Sequence, residues 1–292
     1  MLLELILNNS DHYSKRTDCT NLNPFPYCPE HWRNMKNWIT NRELMKSHFD
    51  APKFLEEKSD QDRGVNPPPV ESRILPDAVE IALPEHDSVK AIKPGLANCI
   101  LDRVSRRKYT TGSITLEELS FLLWATQGVK KTINAYKNRG TVTFRTVPSA
   151  GARHPFETYL AINRVTGVKP GIYRYSALRH SLIFLFQENN IGEKLTTAAA
   201  GQSFTGEAPV VFFWACRPYM GEWRYKGESH KAMLLDAGHV CQNLYLAAES
   251  LQLGTVAIAA YSQSKVDDLL HLDGVDEFVV YLAPVGRVKE TR

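Results

Sequence analysis

Three short stretches of this 292-residue chain carry side chains suited to a planar, phosphate-bearing molecule. The first is Arg103-Val-Ser105-Arg-Arg107, followed by Tyr109. On an extended or helix-entry segment Arg103, Ser105 and Arg107 alternate onto one face. Two guanidinium groups and a hydroxyl there would clamp an oxyanion or a polyol chain. The second runs from Arg145 to His154 and contains Pro148, Ser149, Ala150 and Gly151. Residues so small let the backbone approach a flat or anionic ligand, and Arg145 and Arg153 add fixed charge. The third pairs Gly254–Tyr261 with Pro284-Val-Gly286-Arg287. Here the amides of Val256, Ala257, Ile258 and Ala259 could face a ring while Arg287 reaches a phosphate. Singly, each stretch has a plainer reading as a turn, a solvated basic run or a buried strand.

The elements that must position these groups are legible from Ala97 onward. Thr115-Leu-Glu-Glu118 is a capping box with Leu116, Leu119, Leu122 and Leu123 at helical spacing behind it. Residues 158–163 read as a strand, and 171–175 with 181–186 as a hairpin. The apolar run 209–216 predicts a buried strand. Met233, Ala237, Val240, Leu244, Ala247 and Leu251 share one face of a helix over 230–252. Gly254 stands where a left-handed helix-ending residue is expected. A strand at 255–260, a short helix from Ser264 and a final strand at 277–283 complete the pattern. Helices and strands mix without strict alternation, which predicts an α+β sandwich in place of a doubly wound sheet.

Ten of the sixteen prolines lie in the first 98 residues. That composition reads residues 1–95 as an extension and linker with a short helical piece at 30–49, and 96–292 as the main domain. Hydrophobic residues at 43% and charged residues at 23% exclude wholesale disorder, and a net charge of +3 gives no case for nucleic acid. No run is long enough to span a bilayer, and Met1–Leu7 lacks the marks of an export signal, so a cytoplasmic protein is expected. Five cysteines form no pairing framework. Cys28-Pro-Glu-His31 with Cys19 lacks a second ligand pair, so no metal is expected.

In order along the chain, these stretches resemble the FMN-dependent nitroreductase superfamily, in particular its SagB-type dehydrogenase branch. The likeness rests on Arg103-x-Ser-x-Arg107, on Arg145–Tyr159, and on Leu234-Leu-Asp-Ala-Gly-His-Val-Cys-Gln-Asn-Leu-Tyr-Leu-Ala-Ala248 followed by Leu253-Gly254. It covers roughly residues 65–288. The resemblance implies a three-layer α+β sandwich with a central, mostly antiparallel sheet, in a homodimer holding FMN between protomers. It also implies that Arg103, Ser105 and Arg107 hold the phosphate and ribityl chain. Pro148, Ser149, Ala150 and Gly151 would contact the ring, 255–259 would run beside it, and Arg287 would close on the phosphate.

One departure bears on mechanism. Where azoline-oxidising members of that branch carry a Lys-Tyr pair, this chain has Arg224 and Tyr225. Arginine keeps its proton, so Arg224 suits orientation or charge stabilisation better than proton abstraction. Tyr225 remains a proton donor or relay, and Lys226 falls in the opposite register. The expected activity is hydride exchange through the flavin between NAD(P)H or a substrate and an acceptor, the substrate being a small molecule or a peptide-borne ring. The alternatives are a non-catalytic flavin-binding scaffold and a flavin-remodelling enzyme.

Overall fold

The computed structural model describes residues 42, 44–91, 95–137 and 140–289; Cys19, Cys28, His31 and most of the helical piece expected at 30–49 lie outside them, and residues 44–49 of that piece form turns and not helix. The residues from Ser47 to Arg292 form one compact unit. Its frame is a seven-stranded sheet in the order β1-β6-β5-β4-β7-β9-β8. The strands are β1 (Glu80–Ala82), β4 (Phe156–Ile162), β5 (Gly171–Ser176), β6 (Ser181–Phe186), β7 (Val210–Cys216), β8 (Leu253–Thr255) and β9 (Phe278–Arg287). Every neighbouring pair is antiparallel. A separate hairpin joins β2 (Val129–Ala135) to β3 (Gly140–Arg145).

Strand β7 explains the layering. All seven of its residues are buried, because both faces of the sheet are covered, and a strand in that position must be apolar throughout. Val210, Phe212, Trp214 and Cys216 point into one core. There they meet helix α3 (Leu116–Gln127) and the long helix α7 (Ser229–Ser250). Val211, Phe213 and Ala215 point into the other core, against α4 (Ile191–Ala198), α5 (Ser203–Glu207) and α8 (Gln263–Leu270). The result is the expected α+β three-layer sandwich.

The predicted capping box is present: Thr115 accepts from the Glu118 amide and the Glu118 side chain accepts from the Thr115 amide. The 171–186 hairpin and the 230–252 helix form within a residue or two of the expected bounds. Gly254 departs from expectation. The left-handed residue after α7 is Gln252, with φ 54°, and Gly254 sits inside β8. Its missing side chain matters for a different reason, since a Cβ there would meet Val288 at 2.4 Å and the Arg106 Cβ at 2.8 Å. The strand expected at 255–260 ends at Thr255, and only Ile258 rejoins β9, through a single bridge to Leu282.

Residues 47–83 strap along the domain. Short helix α1 (Pro52–Glu56) and the segment to Val65 cover α6 (Tyr219–Tyr225), with the Gln61 amide donating to the Trp223 carbonyl and Trp223 Nε1 to the Val65 carbonyl. No helix among the described residues is long and apolar enough to cross a membrane. Thr115→Ala should lower stability by about 1 kcal/mol through the lost cap, read as a shifted denaturation midpoint with an unchanged slope.

Candidate functional site

Arg103 ends α2 (Leu96–Asp102) as its C-cap, and the chain then runs extended beside 255–257. The Arg106 amide donates to the Thr255 carbonyl at 2.9 Å. Tyr245 on α7 gathers this region. Its hydroxyl lies 2.9 Å from Ser105 Oγ and accepts from the Ala257 amide at 2.8 Å, while the Arg103 guanidinium sits 5.1 Å from its ring centroid. The first and third stretches are thus brought together around one tyrosine. Among the described residues no carboxylate pairs with Arg103 or Arg107. Guanidinium groups without a carboxylate partner, one of them beside Tyr245 and the Ser105 hydroxyl, suit a phosphate. The expectation that the 256–259 amides face a ring fails at two positions, because the Ala257 amide is taken by Tyr245 and Ile258 exchanges both backbone bonds with Leu282. Val256 is buried, and the Ala257 and Ala259 side chains are partly or fully open.

Residues 148–151 occupy a second locus. Asp236 on α7 accepts from Ser149 Oγ at 2.6 Å and from the Ala150 amide at 3.1 Å. Burial pushes the Asp236 carboxyl up from its ordinary value, and these two bonds pull against that rise. Ser149 Oγ also accepts from the His154 amide at 2.9 Å. The turn needs such pinning because Gly151, Ala152 and His154 all have positive φ. At Gly151 (φ 58°) an added Cβ would lie 2.5 Å from the Tyr225 hydroxyl and 3.2 Å from Arg224 Cδ. The second stretch and the Arg224–Tyr225 pair are therefore neighbours.

Two predicted arginines are committed elsewhere. Arg145 is buried, donating to Gln127 Oε1 at 2.8 Å, to the Val70 carbonyl at 3.1 Å and to Thr143 Oγ1 at 3.3 Å. It ties the strap to β3 through these bonds. Arg287 donates from Nε to the Ser113 carbonyl at 2.8 Å, and its Nη2 lies 2.8 and 2.9 Å from the two Glu118 oxygens. That guanidinium is neutralised by the capping-box carboxylate, which removes the ground for assigning it to a phosphate. Arg153 is likewise inside, donating to the Met220 carbonyl at 2.7 Å and to Tyr136 at 3.2 Å, with its guanidinium 4.7 Å from the Trp223 ring centroid.

Sequence reasoning overlooked Tyr245, although it lies inside the Leu234–Ala248 motif. Its signal was position: nine residues after Asp236, or two and a half turns, it emerges on the opposite side of the helix. Asp236 lies in the same motif, and the structure makes it the anchor of the 149–150 turn.

A nitroreductase family model matches residues 100–287, a span that contains both loci and all seven sheet strands except β1. The chain belongs to the nitroreductase family. Over 211 residues it is 36% identical to a nitroreductase-like protein of Methanocaldococcus jannaschii, covering 72% of this chain and 98% of that one. It is 29% identical over 164 residues to the trifolitoxin-processing protein TfxB of Rhizobium leguminosarum, spanning 55% of this chain and 44% of that protein. Such relatives bear out the resemblance to the SagB-type branch. Among solved structures, a nitroreductase-like protein of Ralstonia eutropha superposes with a TM-score of 0.57 at 25% identity, covering 77% of this chain and 99% of that one. One from Anabaena variabilis gives 0.60 at 26% identity over 73% of this chain, which spans 42% of that longer one. The Escherichia coli microcin synthetase complex with truncated pro-MccB17 bound shares the fold at 0.53 and 17% identity, covering 87% of this chain and 92% of that one.

His154 is buried among cations. Burial, with Arg145 and Arg153 nearby, pushes its imidazole down to about 3 from 6.5. The folded state therefore holds it neutral while the unfolded chain binds a proton below 6.5. Stability is complete above that pH and falls as pH drops toward 3. Between pH 7 and 4.5 the loss should be about 2–3 kcal/mol. His154→Gln should remove that share of the slope in denaturation curves at the two pH values; an unchanged slope would place the titration elsewhere.

Proposed function

We propose that this nitroreductase-family protein is an FMN-dependent oxidoreductase that works as a homodimer. The observation that carries the proposal is the split of the site along α7. Asp236 with the Ser149–Gly151 turn lies on one side of the helix, and Tyr245 with Arg103, Ser105 and Ala257 on the other, about 14 Å farther along the axis. One chain thus offers two incomplete halves, a phosphate side and a ring side. A second copy set across α7 would bring its ring side to this chain's phosphate side. Leu234 and Leu235, 61% and 58% exposed on α7, and Leu96, Ile100 and Leu101 on α2 give that contact an apolar surface.

The residues fit the cofactor. Arg103 and Arg107 would take the phosphate with Ser105, and the backbone of Ala150–Gly151 and of Ala257 would flank the ring. When bound, the flavin supplies two-electron hydride chemistry, and the protein sets who reaches it. Tyr225 stands against Gly151, where its hydroxyl can hold or pass a proton for a substrate. Arg224 orients a substrate and stabilises negative charge developing on it. Either a nicotinamide or a substrate ring could be the hydride donor, and the likeness to a toxin-processing protein supports a peptide-borne ring as one candidate.

Purified protein should be yellow and dimeric, and Arg103→Ala should weaken FMN binding about ten- to hundredfold, measured by fluorescence titration of the flavin-stripped protein. A colourless chain that cannot be loaded with FMN would end this reading. Tyr225→Phe should keep the flavin and slow turnover with NAD(P)H and an acceptor; turnover equal to the parent would take Tyr225 out of the chemistry.

A further inference from the structure

Arg174, in the middle of the sheet on β5, is only 7% exposed, and among the described residues its charge has no carboxylate partner. Its guanidinium makes one hydrogen bond, from Nη2 to the Arg73 carbonyl at 3.2 Å, while its Nε meets no acceptor. Arg145, similarly buried, donates three times. Arginine keeps its proton, so a guanidinium in the interior is costly until hydrogen bonds or an anion compensate it. The acids around Arg174 are engaged otherwise. Glu277 Oε1 accepts from the Tyr159 hydroxyl at 2.9 Å, and Glu157 Oε1 accepts from the Ser72 amide at 2.6 Å and from Arg217 at 3.1 Å.

Arg174 lines a cavity of about 400 Å³ on the sheet face opposite α7. Strand register builds its floor. Tyr159 on β4 stands opposite Arg174 on β5, which stands opposite Ile183 on β6, so three neighbouring side chains share one face. Tyr159 belongs to the core on the α4, α5 and α8 side. The strap arcs over this floor as a wall. One end of the arc is pinned by the Ser72–Glu157 bond, and the other by the Val79 carbonyl, which accepts from the Phe184 amide at 2.9 Å. Along it Arg73 adds a second guanidinium that pairs with no carboxylate among the described residues. Leu75 and Val79 line the same cavity while 64% and 61% exposed. Exposed apolar side chains gathered at a cavity that also holds unpaired cations suit an amphiphilic anion. Asp77, exposed on the turn, also lines the cavity and disfavours a second negative charge on the occupant.

We propose that this cavity binds a monocarboxylate with an aliphatic chain, Arg174 and Arg73 taking the carboxylate while Leu75, Val79 and Ile183 cover the chain. The sheet separates it from both loci on α7, so the inference goes beyond the oxidoreductase reading and does not rest on it. The occupant supplies the counter-charge that the chain itself withholds from Arg174, and its binding therefore stabilises the folded state.

The test is calorimetric titration of the full chain as purified with hexanoate, 1-hexanol and acetate. Hexanoate should bind about tenfold tighter than either, since hexanol lacks the charge and acetate the chain, and it should raise the denaturation midpoint. Arg174→Gln should erase the preference for hexanoate over hexanol. Val79→Glu, at an exposed position, should weaken hexanoate about tenfold and leave the unliganded midpoint unchanged, so it decides the matter even where Arg174→Gln fails to fold. Hexanol or acetate bound as tightly as hexanoate, or either folded variant binding hexanoate like the parent, would overturn the site. So would hexanoate that releases bound flavin, read by absorbance, since the anion would then sit with Arg103. A chain that takes no FMN sinks the oxidoreductase reading and leaves this titration intact.

Discussion

A single helix with anchoring groups on opposite sides organises everything else in this molecule. Helix α7 buries Met233, Ala237, Val240 and Leu244 against the sheet, which fixes its rotation about its own axis. Once that rotation is set, Asp236 must reach the 148–151 turn and Tyr245 must reach the 103–107 segment. The packing of an apolar stripe thereby dictates where two polar clusters form, with no contact between them. A slip of one residue in the helix would swing each anchor by about 100° and dissolve both.

The buried carboxylate of Asp236 shows how an unfavourable placement can be made tolerable. Removing a charge from water costs free energy unless hydrogen bonds replace the solvent. The Ser149 hydroxyl and Ala150 amide supply two of them. In exchange, a turn with three positive φ angles acquires a fixed shape. Arg145 follows the same logic farther inside, where Gln127, Val70 and Thr143 surround its guanidinium. Charge is used here as internal scaffolding as much as for ligands.

Much of this was readable from residue order, and the failures share a cause. Helix α7, the 171–186 hairpin and the Thr115 box were legible because each depends on local periodicity or on a three-residue spacing. The grouping of Arg103, Ser105 and the 255–259 segment was visible as chemistry, though only the fold could supply Tyr245 as its hub. Arg145 and Arg287 carry partners that residue order does not display, the first in the interior and the second at a half-exposed ion pair. Their partners, Gln127 and Glu118, lie 18 and 169 positions away. Gly254 was read as a helix stop when its real constraint is the close passage of Arg106 and Val288. The contact of Phe49 with Tyr225 could not be foreseen, since it arises from a strap that folds back over α6.

Glu118 closes the N-terminus of α3 and at the same time receives Arg287 from the last strand. One carboxylate therefore joins the first long helix to the far end of the sheet. A glutamine in its place would still accept from the Thr115 amide but would leave the Arg287 guanidinium without its counter-charge. Drift at position 118 is thus restricted from two directions, and shortening the chain before Arg287 would be felt 169 residues upstream, at the opening turn of a helix it never adjoins in sequence.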